Sequence, residues 1–467
     1  MGSENSEVDA HKELLIQGGE VAGPEGVRSA DVRVRGQLIA EIEPSLRPGR
    51  DAVIIDASGK LVMPGGIDPH THLTPPFADD LTSGSDAALA GGITTLGTFS
   101  YMAQREEGRE TLIEALRRME EKVRREAIAD IILHPVVWPP SCASREQLEA
   151  IMEAGQPSVK FFMLMKDFGS HLDGMLEVMD AARELGLVVL LHCEDEALLK
   201  WAAARLRAQG KTSLRHYAES RPIVSEVAAT QQAVSLCEAT GAPTYVVHLS
   251  SARALRACRN PDTEGLPIYV ETRPIYLHLT EERYASPEGP LYVGQPPLRS
   301  REDLEALWEG LADGRIDVLA TDHAPWTREQ KLDPELHIER LRPGVNNLQI
   351  MLPMYYSEGV AKGRIGLERF IETTATNPAK IFGLYPRKGV IREGSHADLV
   401  VWDTDLRKEI RGSETHSKAG FSIYEGREVT GWPVLTIRRG EIVFEDGEVK
   451  GAPGSGRLLR RDAWKPS

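Results

Sequence analysis

Between Pro64 and about Gly389 the chain repeats one alternation: a short apolar run rich in β-branched residues, then a stretch whose apolar residues recur at helical spacing. The runs are the segment leading to His70, then GGITTLGTF, IADIILHPVV, PSVKFFM, GLVVLLHC, GAPTYVVHL, GLPIYVETR and IDVLATDH. One intervening stretch, RETLIEALRRMEEKVRREA, is apolar on one face and strongly charged elsewhere. Strands that alternate with helices form parallel sheets, and eight of them over about 320 residues predict an α/β fold of the (β/α)8 TIM-barrel type. On either side the grammar differs. LLIQGGEVAG, ADVRVRGQLIAEIEP and AVIIDASGKLVMPG precede it, while GVIREGSHADLVVWD and VLTIRRGEIVFEDGEV follow, all reading as short strands with glycine turns. Neither terminal portion is large enough to bury a core alone. The expectation is therefore one small β-sandwich built from residues 10–62 and 390–453, beside a barrel of residues 63–389. The first dozen residues and the tail beyond about Gly454 read as loose.

In such a barrel the chemistry sits where strands run out into the following loops. The first predicted strand runs out at His70 and His72, the fourth contains Lys160, the fifth ends at His192, the sixth at His248 and the eighth at Asp322. Residues two apart share a face of a strand, so His70 and His72 can grip one cation together. The other two imidazoles and the carboxylate are ligands of the type that Zn²⁺ prefers. Each residue alone has a plainer role: a histidine pair on the surface, a core histidine bonded to backbone, an aspartate capping a helix. What outweighs those roles is that all five fall at the ends of separately predicted strands, in an order that closes one ring.

Lys160 stands amid apolar neighbours in Pro157-Ser-Val-Lys-Phe-Phe-Met163, where an unpaired ammonium is costly. Burial favours the neutral amine. Such a lysine is either an ammonium paired structurally with a carboxylate or a neutral amine free to take up CO₂ as a carbamate, whose two oxygens suffice to bridge two cations.

Composition removes other classes of function. A net charge of −15, with no lysine and arginine cluster interleaved with aromatics, argues against nucleic acid as a partner. No apolar run approaches a membrane span, so no membrane partner is expected. The polar start MGSENSEVDAHKE carries no apolar leader core, which points to a cytoplasmic protein; its match to a loose acylation pattern at Met1–Ser6 is assigned no role. Cys142, Cys193, Cys237 and Cys258 are scattered without paired spacing and are given no chemistry.

These motifs resemble the amidohydrolase superfamily, and within it the dihydropyrimidinase and hydantoinase branch of cyclic amidases. PGGIDPHTHL is similar to the family's metal-binding first strand, VKFFM to its carbamylated-lysine strand, HCEDE and VHLSS to its later histidine strands, and ATDHAP to its aspartate strand. SRPIVSEVAAT, GQPPLRSREDLEALW and ETHSKAGFSIYEGREVTGWP are similar to the hydantoinase pattern. The resemblance implies two Zn²⁺, or other divalent ions, per chain: one held by His70, His72 and Asp322, the other by His192 and His248, with N-carboxylated Lys160 bridging both. It further implies hydrolysis of a cyclic amide C–N bond, in a hydantoin, dihydropyrimidine or related imide, by a hydroxide held between the cations, with Asp322 as general base and acid. A homo-oligomer, tetramer or dimer, is expected on the same ground.

The substrate contacts depart from that pattern. Met165 stands where the family usually has a tyrosine, Gln295 where it commonly places serine or asparagine against the ring, and Asn347 near another ring contact. Thr74 stands where dihydroorotases carry an arginine for the substrate carboxylate. The rival readings are an allantoinase or dihydroorotase and, more remotely, a non-catalytic scaffold of the same fold.

Overall fold

The computed structural model describes residues 13–105, 108–338 and 340–465. The start of the first expected domain, residues 10–12, and the acylation pattern at Met1–Ser6 lie outside the described residues. Each predicted apolar run forms a parallel strand: β1 Gly66–Thr71, β2 Ile93–Ser100, β3 Asp130–Pro135, β4 Ser158–Phe162, β5 Val188–His192, β6 Thr244–Val246, β7 Ile268–Thr272 and β8 Val318–Leu319. They pair as a three-stranded ribbon, β3-β2-β1, and a five-stranded ribbon, β4-β5-β6-β7-β8. Parallel bridges join the ribbons at both edges, Val136 with Lys160 and Thr71 with His323. Every residue of β1, β2, β3 and β5 is buried, so none of these strands shows the polar alternation of a half-solvated sheet.

Helices occupy the stretches between the strands. The clearest, α1 at Leu112–Glu126, starts at a reciprocal capping box between Thr111 and Glu114, ends with Arg124 and Arg125 in its last turn, and buries Leu112, Ala115, Leu116, Met119 and Val123.

The two terminal portions meet in one nine-stranded sheet, in which Leu399–Glu409 from the C-terminal part pairs antiparallel with Leu61–Pro64 from the N-terminal part. The hydrogen bonding is thus continuous across both portions. Bulged strands let side chains of both portions, such as Val34, Val62, Leu399 and Ile437, share a separate core. The apolar run before His70 also divides. Leu61–Pro64 belongs to this terminal sheet, and the strand that carries His70 begins afresh at Gly66.

The tail beyond Gly454 corrects a second expectation, because it is docked rather than loose. Leu458 bridges Ile131 at the start of β3, with Ile131 N donating to Arg457 O and Leu459 N to Ile131 O. The buried Arg461 guanidinium donates to Leu133 O and Ser158 Oγ, while Trp464 Nε1 reaches Tyr269 Oη at 2.7 Å. Its polar composition concealed this: the segment is held by backbone pairing and an arginine, not by an apolar pattern. Truncation after Ser455 should lower the melting temperature by several degrees, since burial of Leu459 alone contributes about 1.5–3 kcal/mol. Metal content should be unchanged, because the tail sits at the opposite strand ends from the site below. Differential scanning calorimetry with elemental analysis checks both.

Candidate metal centre

The C-terminal strand ends bring their polar side chains into one cavity of about 320 Å³, lined by His70, His72, His192, His248 and Asp322 among others. At the end of β1, His70 and His72 turn their Nε2 atoms to the same carboxylate oxygen, Asp322 Oδ1, at 3.3 and 3.0 Å. The ligand atoms of these three residues all lie within 4.8 Å of one another. Asp68, two residues before His70, accepts from His70 N at 3.1 Å and Thr321 N at 3.2 Å, so one side chain fixes both β1 and the segment after β8. Burial pushes its carboxyl up to about 6. Burial also acts on Asp322, but the Arg273 guanidinium 3.0 Å away and the two histidines hold that carboxyl well below the usual range. It is ionised at any working pH.

Glu271 ends β7 and has no solvent exposure. It accepts from His70 Nδ1 at 2.8 Å, from His248 N at 2.8 Å and from Tyr245 Oη at 2.9 Å. A carboxylate only accepts, so the His70 proton lies on Nδ1 and the lone pair on Nε2 faces the cavity. The same logic fixes His192, whose Nε2 donates to Glu194 at 2.8 Å. Burial raises the Glu194 carboxyl, yet Arg221 and His192 overcome this and hold it at about 2, leaving His192 Nδ1 as the free ligand atom. His248 stacks edge-on to His192 at 4.5 Å between ring centres and lies 5.5 Å from His70, which places the four imidazoles in one chain. His248 and Asp322 both adopt positive φ, 39° and 46°. Such backbone costs of order 1–3 kcal/mol per residue and clusters at functional sites.

Lys160 lies beneath this group. Its Nζ is fully buried, has no hydrogen-bond partner, and sits 5.5 and 5.0 Å from the ring centres of Phe99 and Phe162. Burial lowers its pKa to about 8 against the opposing pull of Glu271 and Asp322. An orphaned amine beside four imidazoles and a buried carboxylate fits the donor set of a divalent metal site.

Of the sequence-predicted substrate contacts, Met165 and Gln295 stand on the cavity wall. Asn347 does not. It lies behind the wall, where its backbone N–H donates to His323 Nδ1 at 3.3 Å and its Nδ2 to Thr321 O at 3.1 Å, steadying the loop that carries Asp322. Thr74 is likewise off the wall; its carbonyl accepts from Phe77 N in a turn that brings Phe77 onto it. Sequence reasoning missed Glu271, Arg273 and Tyr101. The first two end the seventh strand in VETR, an ionisable strand end that the rule applied to the other strands would have found. Tyr101, with its hydroxyl 3.2 Å from His72 Nδ1, follows β2 and carries no charge to draw attention.

Comparison with known proteins agrees with this geometry. Residues 61–443 match the model of the amidohydrolase family. The chain is 33% identical to a D-hydantoinase of Ralstonia pickettii over 462 residues, spanning 97% of this chain and all of that one. It is also 33% identical to a D-phenylhydantoinase of Escherichia coli O1:K1 / APEC, covering 97% and 99% of the two chains. The crystal structure of dihydropyrimidinase from Brevibacillus agri NCHU1002 superposes with a TM-score of 0.91 at 32% identity, over 97% of this chain and 99% of that one.

Two outcomes are expected of Glu271 and Lys160. Glu271→Gln should weaken metal binding about 10–100-fold with the fold intact, measured by competition with a chromophoric chelator. Carboxylation needs the neutral amine of Lys160, which is protonated below its pKa of about 8 and neutral above it. At a fixed concentration of dissolved ¹³CO₂, label uptake by metal-free protein should therefore accelerate as pH rises towards 8 and level off above it, and Lys160→Ala should abolish it, followed by NMR of the carbamate carbon.

Proposed function

The chain belongs to the amidohydrolase family, and from that premise we propose that it hydrolyses a C–N bond of a cyclic amide, acting on hydantoins, dihydropyrimidines or related imides. The observation that carries this reading is the convergence of His70 Nε2, His72 Nε2 and Asp322 Oδ1 above an unpartnered, buried Lys160 amine. The eight parallel strands, bridged at both edges, are read as a closed barrel, and the terminal sheet folded over its own core as the accompanying sandwich. His70, His72 and Asp322 would hold one divalent cation and His192 and His248 a second, with N-carboxylated Lys160 between them; zinc is the metal this donor set favours. When bound, such cations polarise the substrate carbonyl and lower the pKa of the attacking water towards ~7.

The chain's own residues supply the rest. Asp322 is ionised and placed to accept the proton of the attacking water and return it to the leaving ring nitrogen. Arg273 engages Asp322 Oδ2, so that Oδ1 is the oxygen presented to the histidines. Glu271 and Glu194 hold His70 and His192 in the tautomers that leave a lone pair for a cation. Phe77, Phe162, Leu164 and Met165 make one side of the cavity apolar and restrict water.

Selectivity follows from the same wall. No lysine or arginine stands among its described lining residues, and the Arg273 guanidinium lies off that wall, bonded to Asp322 and Thr321 O. A substrate carboxylate would find no bidentate partner. We therefore place dihydroorotate outside the preferred range and read the protein as a hydantoinase or dihydropyrimidinase rather than a dihydroorotase or allantoinase. On the family resemblance we also propose a homo-oligomer of four or two chains.

Ring-opening absorbance with dihydrouracil, 5-substituted hydantoins, allantoin, dihydroorotate and succinimide tests the proposal. A phenyl- or alkyl-substituted hydantoin or imide should show a higher kcat/KM than dihydroorotate or allantoin, and Met165→Tyr should move activity towards dihydrouracil. A tenfold preference for dihydroorotate or allantoin would overturn the reading of the pocket, and no ring opening by metal-loaded protein would overturn the function.

A further inference from the structure

The cavity offers a bound ring few hydrogen-bond donors. Outside the cluster of histidines and Asp322, only Tyr101 and Gln295 among its described lining residues carry polar side chains. The backbone contributes little. The amides of Phe77, Met165, Ala324 and Gly344 are already given to the carbonyls of Thr74, Phe162, Val345 and Val293. The nearby phenols of Tyr217 and Tyr276 are spent on Gly294 O and Pro296 O. Gln295 also walls a second cavity, lined by Leu199, Tyr217 and Arg221, and so stands at the periphery between the two spaces.

Tyr101 is placed differently. Its hydroxyl lies 3.2 Å from Nδ1 of His72, whose other nitrogen faces Asp322 Oδ1 at 3.0 Å. A histidine that binds a cation through Nε2 must keep a lone pair there, so the one proton of the neutral ring lies on Nδ1. In that tautomer the Nδ1 proton faces the Tyr101 oxygen, 3.2 Å away. A hydroxyl donates one hydrogen bond while accepting others, and accepting from His72 leaves the phenolic proton of Tyr101 free to point into the cavity. The residue is held in place from behind. Its carbonyl accepts from Arg118, which is itself anchored on buried Glu110, and its ring sits 6.4 Å from that of Phe99.

We propose that Tyr101 is the hydroxyl donor of this site: its oxygen accepts the Nδ1 proton of His72, and its own proton is offered as a hydrogen bond to the carbonyl oxygen of the ring under attack. The inference rests on the cyclic-amide reading above and names a residue that acts in it. It accounts for a wall that has Met165 and no hydroxyl at that position, because the donor is delivered from the end of β2 instead. As charge develops on the carbonyl oxygen in the transition state, the bond strengthens, which places its effect on turnover rather than on substrate binding.

The test is Tyr101→Phe, which keeps the ring and removes one atom from a residue that is 39% exposed, so packing is conserved. With a hydantoin that the wild type opens, kcat should fall by ~10²–10³ while KM moves by less than about threefold, and metal content by elemental analysis should be unchanged. A readout without turnover accompanies it. In metal-loaded wild type the His72 Nδ1 proton should give a slowly exchanging ring N–H resonance, assigned by its absence in His72→Ala, and Tyr101→Phe should lose it to exchange with water. Met165→Tyr, introduced into Tyr101→Phe, should restore kcat at least about tenfold by offering a hydroxyl from another part of the same wall. A Tyr101→Phe enzyme within about threefold of wild-type kcat, or one that retains the His72 resonance unaltered, overturns the proposal. The two readings fail separately: ring opening by wild type and Tyr101→Phe alike removes Tyr101 only, whereas no ring opening by metal-loaded wild type counts against the hydrolase.

Discussion

Glu271 is a carboxylate with no solvent exposure, and the metal site is built around satisfying it. Burying an ionised carboxyl costs several kcal/mol unless donors surround it. Here the donors are His70 Nδ1 from β1 and Tyr245 Oη and His248 N from β6 and its end. Meeting the needs of one anion therefore fixes the tautomer of one ligand, the backbone of a second, and the relative positions of β1, β6 and β7. Asp68 and Glu194 repeat the device on either side, through His70 N and His192 Nε2. Three buried carboxylates thus stand behind the imidazoles that face the cavity.

The remainder of the molecule holds those strand ends in register. Asp79 accepts from His323 Nε2 at 2.8 Å, from Ser417 Oγ at 2.6 Å and from Lys418 N at 2.7 Å, which ties the loop after β1 and a C-terminal segment to the residue beside Asp322. Lys331 gives its three protons to the carbonyls of Val293, Arg342 and Gly344, clamping two stretches of the cavity wall. At the opposite end Asp130, at the head of β3, pairs with Lys388 at 2.8 Å and Arg439 at 3.1 Å and so fastens the terminal sheet to the parallel strands. The contacts of Asp79 and Asp130 join segments hundreds of residues apart. They explain why both chain ends are part of the unit that carries the site.

What could be read from sequence divides along physical lines. Runs such as GLVVLLHC and the capped helix after Thr111 announce themselves because a strand buried on both faces and an amphipathic helix each impose a period on apolar residues. His70, His72, Lys160, His192, His248 and Asp322 were legible because their chemistry is costly to bury and they fall at strand ends. The docked tail was not, since Arg457 and Arg461 are held by backbone pairing and guanidinium bonds that leave no period. Tyr101 escaped for a similar reason: nothing local distinguishes it from any tyrosine in a loop, and its role arises only when folding sets it against His72. Asn347 shows the opposite error, a residue near the site in sequence whose side chain serves the loop rather than the cavity.

The central claim is that these six residues hold two cations bridged by a modified lysine. X-ray diffraction from crystals of zinc-loaded protein, with data on both sides of the zinc absorption edge, tests it most directly. The account predicts two anomalous peaks in the cavity, one beside His70, His72 and Asp322 and one beside His192 and His248, with carboxylate density on Lys160 Nζ between them. Peaks elsewhere, a single peak, or an unmodified Lys160 in fully loaded crystals would contradict it.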